Sequence, residues 1–274
     1  MQVRNTVANL ALKKAEPTKD RQYVTALARG LEVLRCFDAA RPSLGTAELA
    51  RLTGLPQPTV WRLCHTLIEE GYLVQLDRKD KLRPGIPVLS LGYAALAATP
   101  IAELARADMQ NIATRHQGSV SLGTRDGNMM VYLQRCQGSH IILKDMSVGS
   151  RVPVLCSGSG WAYIAGLPEP KRQLLFKELR RSDPARFEQF MPAVRQALAG
   201  YAETGYVINI GSLHAQINSV AVPIASHDGS VLLSLSSGGI NEVFNPRKLK
   251  SVGADLKKLA VQLAAALTAQ KAAA

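Results

Sequence analysis

Thr53-Gly54-Leu55-Pro56-Gln57-Pro58-Thr59-Val60-Trp61-Arg62-Leu63 is the stretch on which the fold of this chain turns. Gly54 breaks one short helix, Leu55-Pro56 makes a turn, and Pro58 suits the first turn of a new helix, where its missing N–H is not needed. That helix runs from about Gln57 or Pro58 to Glu70, and Gly71 ends it. Val60, Leu63, Leu67 and Cys64 recur at helical spacing and form its expected buried stripe. Gln57, Thr59, Arg62 and His65 or Thr66 fall on other faces, while Trp61, beside the stripe, is expected to pack.

Outward from this helix, the neighbours complete a motif. Val24, Leu27, Leu31 and Leu34 mark an earlier helix over residues 24–37 with one buried face, closed by Arg41-Pro42-Ser43. Thr46 is placed to cap a second helix whose small apolar face is Leu49, Ala50 and Leu52. Downstream, Tyr72–Leu76, the charged turn Asp77-Arg78-Lys79-Asp80 and Lys81-Leu82-Arg83 read as a hairpin. Three short helices and a hairpin make a winged helix-turn-helix. A helix fits the B-DNA major groove and offers its first turns to base edges. Thr46, Gln57, Pro58, Thr59, Arg62 and His65 are therefore the candidate DNA-facing residues, and Arg62 suits either a guanine or a phosphate. Arg78, Lys79, Lys81 and Arg83 on the wing are suited to phosphates, which position a protein without reading sequence.

Residues 86–99 are apolar and nearly uncharged, bounded by Pro87 and Pro100. A short helix that is apolar nearly all round needs cover on more than one side. Two arrangements satisfy that equally: burial in its own chain, or packing on another copy.

The remainder alternates irregularly between helices and hairpins. A helix is expected over residues 101–115 with Leu104, Met109 and Ile112 inside. Val120–Leu122 and Met129–Leu133 flank a turn, Ile141–Leu143 reads as a further strand, and Gly205–Asn209 as another. Val220–Ile224, Asp228-Gly229 and Val231–Ser237 form a second hairpin. Helices are expected near residues 169–180, 186–203 and 246–268. This is an α+β domain around an antiparallel sheet. Cys156-Ser157-Gly158-Ser159-Gly160 is a small, flexible stretch leading into a helix from Trp161 to Ala165. N–H groups at Gly158, Ser159 and Gly160 just before a helix would cradle a carboxylate. Ser219, Ser236 and Asn209 are available to complete the hydrogen bonding.

Composition narrows the function. The chain has 274 residues, 47% of them hydrophobic, which excludes a disordered chain and fits one large domain or two smaller ones. No run of 18 apolar residues marks a membrane span, and residues 1–22 read as a polar arm rather than a secretory signal. The net charge of +12 points to an acidic partner, yet it is spread: residues 1–90 hold 14 basic and 9 acidic residues, a net of +5, and the rest a net of +7. Cys36, Cys64, Cys136 and Cys156 form no C-x-x-C pair, so free thiols in the cytoplasm, with no metal, are expected. No G-x-S-x-G, P-loop, H-E-x-x-H or G-x-G-x-x-G pattern is present, so neither an enzyme nor a cofactor is expected.

The residues also resemble the IclR family of transcriptional regulators. Ala26–Leu34, Thr46–Ala50 and above all Gly54-Leu55-Pro56 with Thr59-Val60 and Arg62-Leu63 look like the opening of such a regulator. Glu70-Gly71-Tyr72-Leu73, Val148–Pro153, Gly200-Tyr201, Gly205-Tyr206, Ser219–Ile224 and Asp228-Gly229 extend the likeness over roughly residues 23–266. The resemblance implies a winged helix-turn-helix over residues 23–86, a dimerising linker helix over 87–99, and a GAF-like effector-binding domain over 100–274. It implies a homodimer or homotetramer on double-stranded DNA at a palindromic operator. It further implies an effector held by the helix start at Gly158, Ser159 and Gly160 and by Asn209, Ser219 and Ser236 on facing strands. This chain departs from the pattern at Asn209-Ile210-Gly211-Ser212 and Gln216, where acidic residues are usual, and at Trp161, where many members have Lys. A pocket that has lost a carboxylate favours an anion, so a small organic acid is the expected effector, and an aromatic carboxylate would suit a Trp161 that points inward. The competing reading is a metabolite sensor whose winged helix serves protein assembly.

Overall fold

The computed structural model describes residues 22–76, 80–138, 146–226, 228–229 and 232–272. The chain divides into two units, residues 1–98 and 99–274.

In the first unit, α1 (Thr25–Leu34), β1 (Leu44–Gly45), α2 (Thr46–Thr53), α3 (Gln57–Glu69), β2 (Leu73–Gln75), β3 (Lys81–Pro84) and α4 (Ile86–Ala97) follow in order. The α2–α3 turn forms as the residues dictate: Gly54 takes a left-handed φ of 69° that ends α2, and Pro58 sits in the first turn of α3. The strands pair antiparallel in the order β1-β3-β2, so the wing gains a third strand absent from the sequence reading. Val33, Leu44, Leu49, Val60, Cys64, Leu73 and Leu82 form one core, drawn from every element except α4.

Several expectations change here. α1 does not bury Val24, Leu27 and Leu31, which are 61%, 63% and 51% exposed. It buries Gly30 and Val33 instead. Apolar spacing identifies a face but not what covers it, and the three-helix core accepts only the last turn of α1. Thr46 does not cap α2. Gly45 holds the cap position, and the Glu48 carboxylate accepts a 2.8 Å hydrogen bond from the Gly45 N–H. α4 buries none of its residues: Ile86, Leu89, Leu91 and Tyr93 are 59–72% exposed.

The second unit holds α5 (Ile101–Leu104), α6 (Arg106–His116), β4 (Ser119–Asp126), β5 (Met129–Gln137), β6 (Arg151–Pro153), α7 (Gly158–Gly166), α8 (Glu169–Ser182), α9 (Pro184–Thr204), β7 (Val207–Ile210), β8 (Ile217–Ala225), β9 (Leu232–Ile240) and α10 (Pro246–Ala272). Its sheet is antiparallel throughout, in the order β6-β5-β4-β9-β8-β7. Alternation along the strands divides the side chains between two cores. Val120, Leu122, Val220, Val222, Leu233 and Leu235 meet α5, α6 and α10 on one face. Met130, Tyr132, Val207 and Ala221 meet α7, α8 and α9 on the other. The expected helix over residues 101–115 breaks at Ala105, which leaves Leu104 53% exposed and turns Ile101, Ala102 and Ala105 inward. Gly158 and Gly160 belong to α7 rather than to a flexible loop before it. The strand expected at Ile141–Leu143 lies outside the described residues.

Candidate nucleic-acid interface and ligand-binding face

α3 buries Val60 and Cys64 and half-buries Leu63 and Leu67, as its spacing requires. Its opposite side leaves Gln57, Pro58, Trp61, Arg62, His65 and Thr66 exposed, a stripe at offsets of three and four along the helix. Trp61 does not pack into the unit. It is 59% exposed and stacks on His65, ring centroids 5.6 Å apart with 7° between the planes. Thr59 and Thr46 are half-buried. On the wing, Arg83 is exposed, whereas Lys81 forms an ion pair with Glu48. The Gly45 N–H and then Lys81 hold the Glu48 carboxyl below the usual range, so this pair ties the wing to α2. Arg78 and Lys79 lie outside the described residues.

In the second unit, the α7 side of the sheet carries a polar floor assembled by register. One row across the strands reads Arg135, Ser121, Ser236 and Ala221; the next reads Gln137, Ser119, Gly238, Ser219 and Asn209. A register shift between Leu122 and Gly123 puts Tyr132 opposite Gly123, and so on the same face as Arg135 three residues later. The Arg135 guanidinium donates a 2.7 Å hydrogen bond to Ser121 Oγ and lies 5.7 Å from the Tyr132 ring centroid. Burial pushes its pKa down, opposed by Tyr132 and Cys136, but an arginine stays cationic. Burial likewise pushes the Tyr132 hydroxyl up.

α7 rests directly on this floor. A Cβ at Gly158 would stand 2.5 Å from Ser219 Oγ, and one at Gly160 would stand 2.2 Å from the Val154 carbonyl oxygen. Ser157 caps the helix, its Oγ accepting from the Gly160 N–H at 3.1 Å. Ser159 and Ser234 hydroxyls share a 2.6 Å hydrogen bond, and the Asn209 amide donates to the Cys156 carbonyl at 3.1 Å.

Residues 26–77 match the IclR helix-turn-helix domain, and residues 93–265 match the bacterial transcriptional regulator IclR C-terminal domain. The chain belongs to the IclR family. It is 31% identical over 201 residues to the HTH-type transcriptional regulator TsaQ1/TsaQ2 of Comamonas testosteroni, covering 73% of this chain and 72% of that protein. It is 30% identical over 236 residues to the Pca regulon regulatory protein of Pseudomonas putida, covering 84% and 79%. The crystal structure of an IclR family transcriptional regulator from Brucella abortus superposes with a TM-score of 0.83 at 36% identity, covering 94% of this chain and 97% of that one. The protein is thus an IclR-type DNA-binding transcriptional regulator, related to proteins named as transcriptional regulators.

Within this IclR framework, Gly158 of α7 stands against Ser219 of β8 and Asn209 of β7, Ser159 bonds Ser234 of β9, Gly160 faces Val154, and Ser236 of β9 lies in the neighbouring row of the sheet. Their roles differ from expectation in two respects. The Gly160 N–H serves the Ser157 cap and the Asn209 amide anchors the chain before α7, so these groups build the floor rather than point from it. Trp161 is only 3% exposed and donates its indole N–H to the Leu155 carbonyl at 2.7 Å, which makes it a core residue that seats α7. Arg135, Tyr132, Ser121 and Ser234 were missed. The alternating Ser119-x-Ser121 and Ser234-x-Ser236 pairs were the available signal, but the bulge that brings Arg135 beside Tyr132 has no sequence signature. Burial pushes the Cys64 and Cys156 thiols up to about 11, which keeps both protonated at neutral pH.

Proposed function

We propose that this regulator binds a palindromic operator as a homodimer or homotetramer in the cytoplasm, and that a small organic acid controls the binding. The observation that carries the organic acid is Arg135: a guanidinium on the α7 face of the sheet, hydrogen-bonded to Ser121 and set in a row with the buried Ser236. A guanidinium has five N–H donors in a planar fork, a geometry that matches a carboxylate, and neighbouring serine hydroxyls complete such a site. Tyr132 supplies an aromatic wall next to the cation, which favours an aromatic or otherwise apolar body on the acid. Gln57, Pro58, Thr59, Arg62 and His65 on α3, with Thr46 and the wing cations Arg78, Lys79 and Lys81, form the operator-binding surface. The apolar, exposed α4 is the assembly surface.

The test is a mobility shift with the DNA upstream of the protein's own gene, with and without benzoate, 4-hydroxybenzoate, 3-phenylpropionate, butyrate or pyruvate. A specific shift that one of these acids weakens or strengthens is expected. Absence of any specific shift at low salt would sink operator binding. A specific shift unmoved by every acid, with no heat of binding by calorimetry, would sink the organic-acid reading and leave the regulator itself standing.

A further inference from the structure

The exposed Trp61–His65 stack lies outside the core of its unit. The first-unit core closes on Val60 and Cys64 from the other side of α3, and the indole stays 59% exposed beside Arg62. An indole is apolar except for one N–H donor. We propose that Trp61, braced by His65, selects thymine in the operator by covering its C5-methyl group in the major groove. This deepens the DNA-binding reading and rests on it.

The argument is one of matching surfaces. The exposed stripe of α3 is the face that meets the base edges of a major groove. Those edges carry hydrogen-bond donors and acceptors and a single kind of apolar group, the thymine methyl. An indole laid against guanine, cytosine or adenine edges takes their polar atoms out of water and returns at most one hydrogen bond. Laid against a methyl, it removes apolar surface from water on both partners. His65 makes the contact selective. With the two rings 5.6 Å apart and 7° from parallel, the indole is held in place before DNA arrives, so less side-chain freedom is lost on binding. Arg62 next to it supplies a charge and hydrogen bonds, and Trp61 supplies the apolar part of the readout.

The test uses the full-length protein and a duplex selected by it from a random pool. Each thymine is replaced in turn by deoxyuridine, which removes only the methyl. Wild type is expected to lose about fourfold in affinity at one or two positions, the factor for one buried methyl. Trp61→Ala is expected to bind thymine and deoxyuridine duplexes equally at those positions, while its thermal melt stays at the wild-type value because the side chain is exposed. Trp61→Phe is expected to keep a reduced deoxyuridine penalty, and it decides the matter if the alanine variant binds too weakly to measure. Wild type indifferent to every deoxyuridine, or a penalty that survives unchanged in Trp61→Ala or Trp61→Phe, overturns the proposal. Affinity lost in the variants at every position alike, with no deoxyuridine effect, assigns the indole to the sugar-phosphate backbone and also overturns it. Failure of the pool to yield any preferred duplex is a different result: it removes the DNA-binding reading on which this one stands.

Discussion

Arg62, Arg135 and Asp255 show how the surroundings of a charged side chain set its use. Arg62 is exposed on the face of α3 opposite the first-unit core, the face proposed to meet DNA. Arg62→Ala is expected to weaken operator binding by about 1–3 kcal/mol and relax preference at one base pair if the guanidinium reads guanine. If it holds a phosphate, all sequences weaken alike and the salt slope falls by about 1. Titrations at several salt concentrations on operator and random DNA separate the two. Arg135 is half-buried beside the Ser121 hydroxyl, and under the proposed function its loss is felt by the bound acid. Arg135→Gln is expected to lower affinity for a bound carboxylate about tenfold or more, while the matching primary amide loses less. Equal losses for acid and amide in calorimetry would mean Arg135 shapes the floor without meeting the charge. Asp255 accepts 2.9 Å and 3.1 Å hydrogen bonds from His116 and Arg115, joining α10 to the end of α6. Burial alone would raise its pKa, but these two partners outweigh burial and hold the carboxyl below the usual range. A carboxyl depressed in the folded state stabilises above its unfolded pKa, about 3.9, and that stability is lost as pH falls through the lower folded value. Asp255→Asn is expected to cost about 1–2 kcal/mol in urea unfolding at pH 7, with the gap to wild type closing only below about pH 4.

At the level of the element, α7 depends on small residues and α9 does not. Gly160 faces backbone: an added Cβ would meet Val154 O at 2.2 Å and Val154 Cα at 2.5 Å, neither of which is the end of a flexible side chain. Gly160→Ala is expected to cost about 1–3 kcal/mol and to lift α7 from the polar floor. Gly200 in α9 meets nothing within 4 Å, so Gly200→Ala is expected to gain about 0.5–1 kcal/mol by restricting the unfolded chain. Thermal or urea melts check both; similar effects at the two sites would contradict the packing described for α7. The same contrast shows what was legible beforehand. The stretch of residues 156–160 reads as a flexible cradle because small residues look loose in a sequence. In the fold they are small because α7 lies against Ser219 and Val154. The α2–α3 turn was legible in full, since Gly54 and Pro58 impose their conformations locally.

For the whole molecule, α4 is the element whose purpose one chain does not exhaust. Four large apolar side chains on it are 59–72% exposed, and Leu27 and Leu31 of α1 are 63% and 51% exposed. Removing such surface from water is worth about 25 cal/mol per Å², and the proposed assembly covers it with a second copy. Leu89→Asp with Tyr93→Asp is expected to lower the assembly state in sedimentation experiments and to weaken operator binding with it. An unchanged assembly state would place the interface elsewhere. The net charge of +12 is distributed in the same divided way. A few cations serve α3 and the wing, Lys81 serves Glu48, and Arg135 serves the floor of the second unit.

The sequence by itself determined the winged helix-turn-helix and the α+β class of the second unit. Those follow from local rules: glycine and proline conformations, periods of two and of about 3.6, and motif spacing. Only the tertiary structure decided that Trp61 stands in solvent while Trp161 is buried, that Leu27 and Leu31 of α1 are uncovered, and that Arg135 meets Tyr132 across a bulge. A periodic pattern states which residues share a face. What lies opposite that face is supplied by segments distant in the chain, and no local rule contains them.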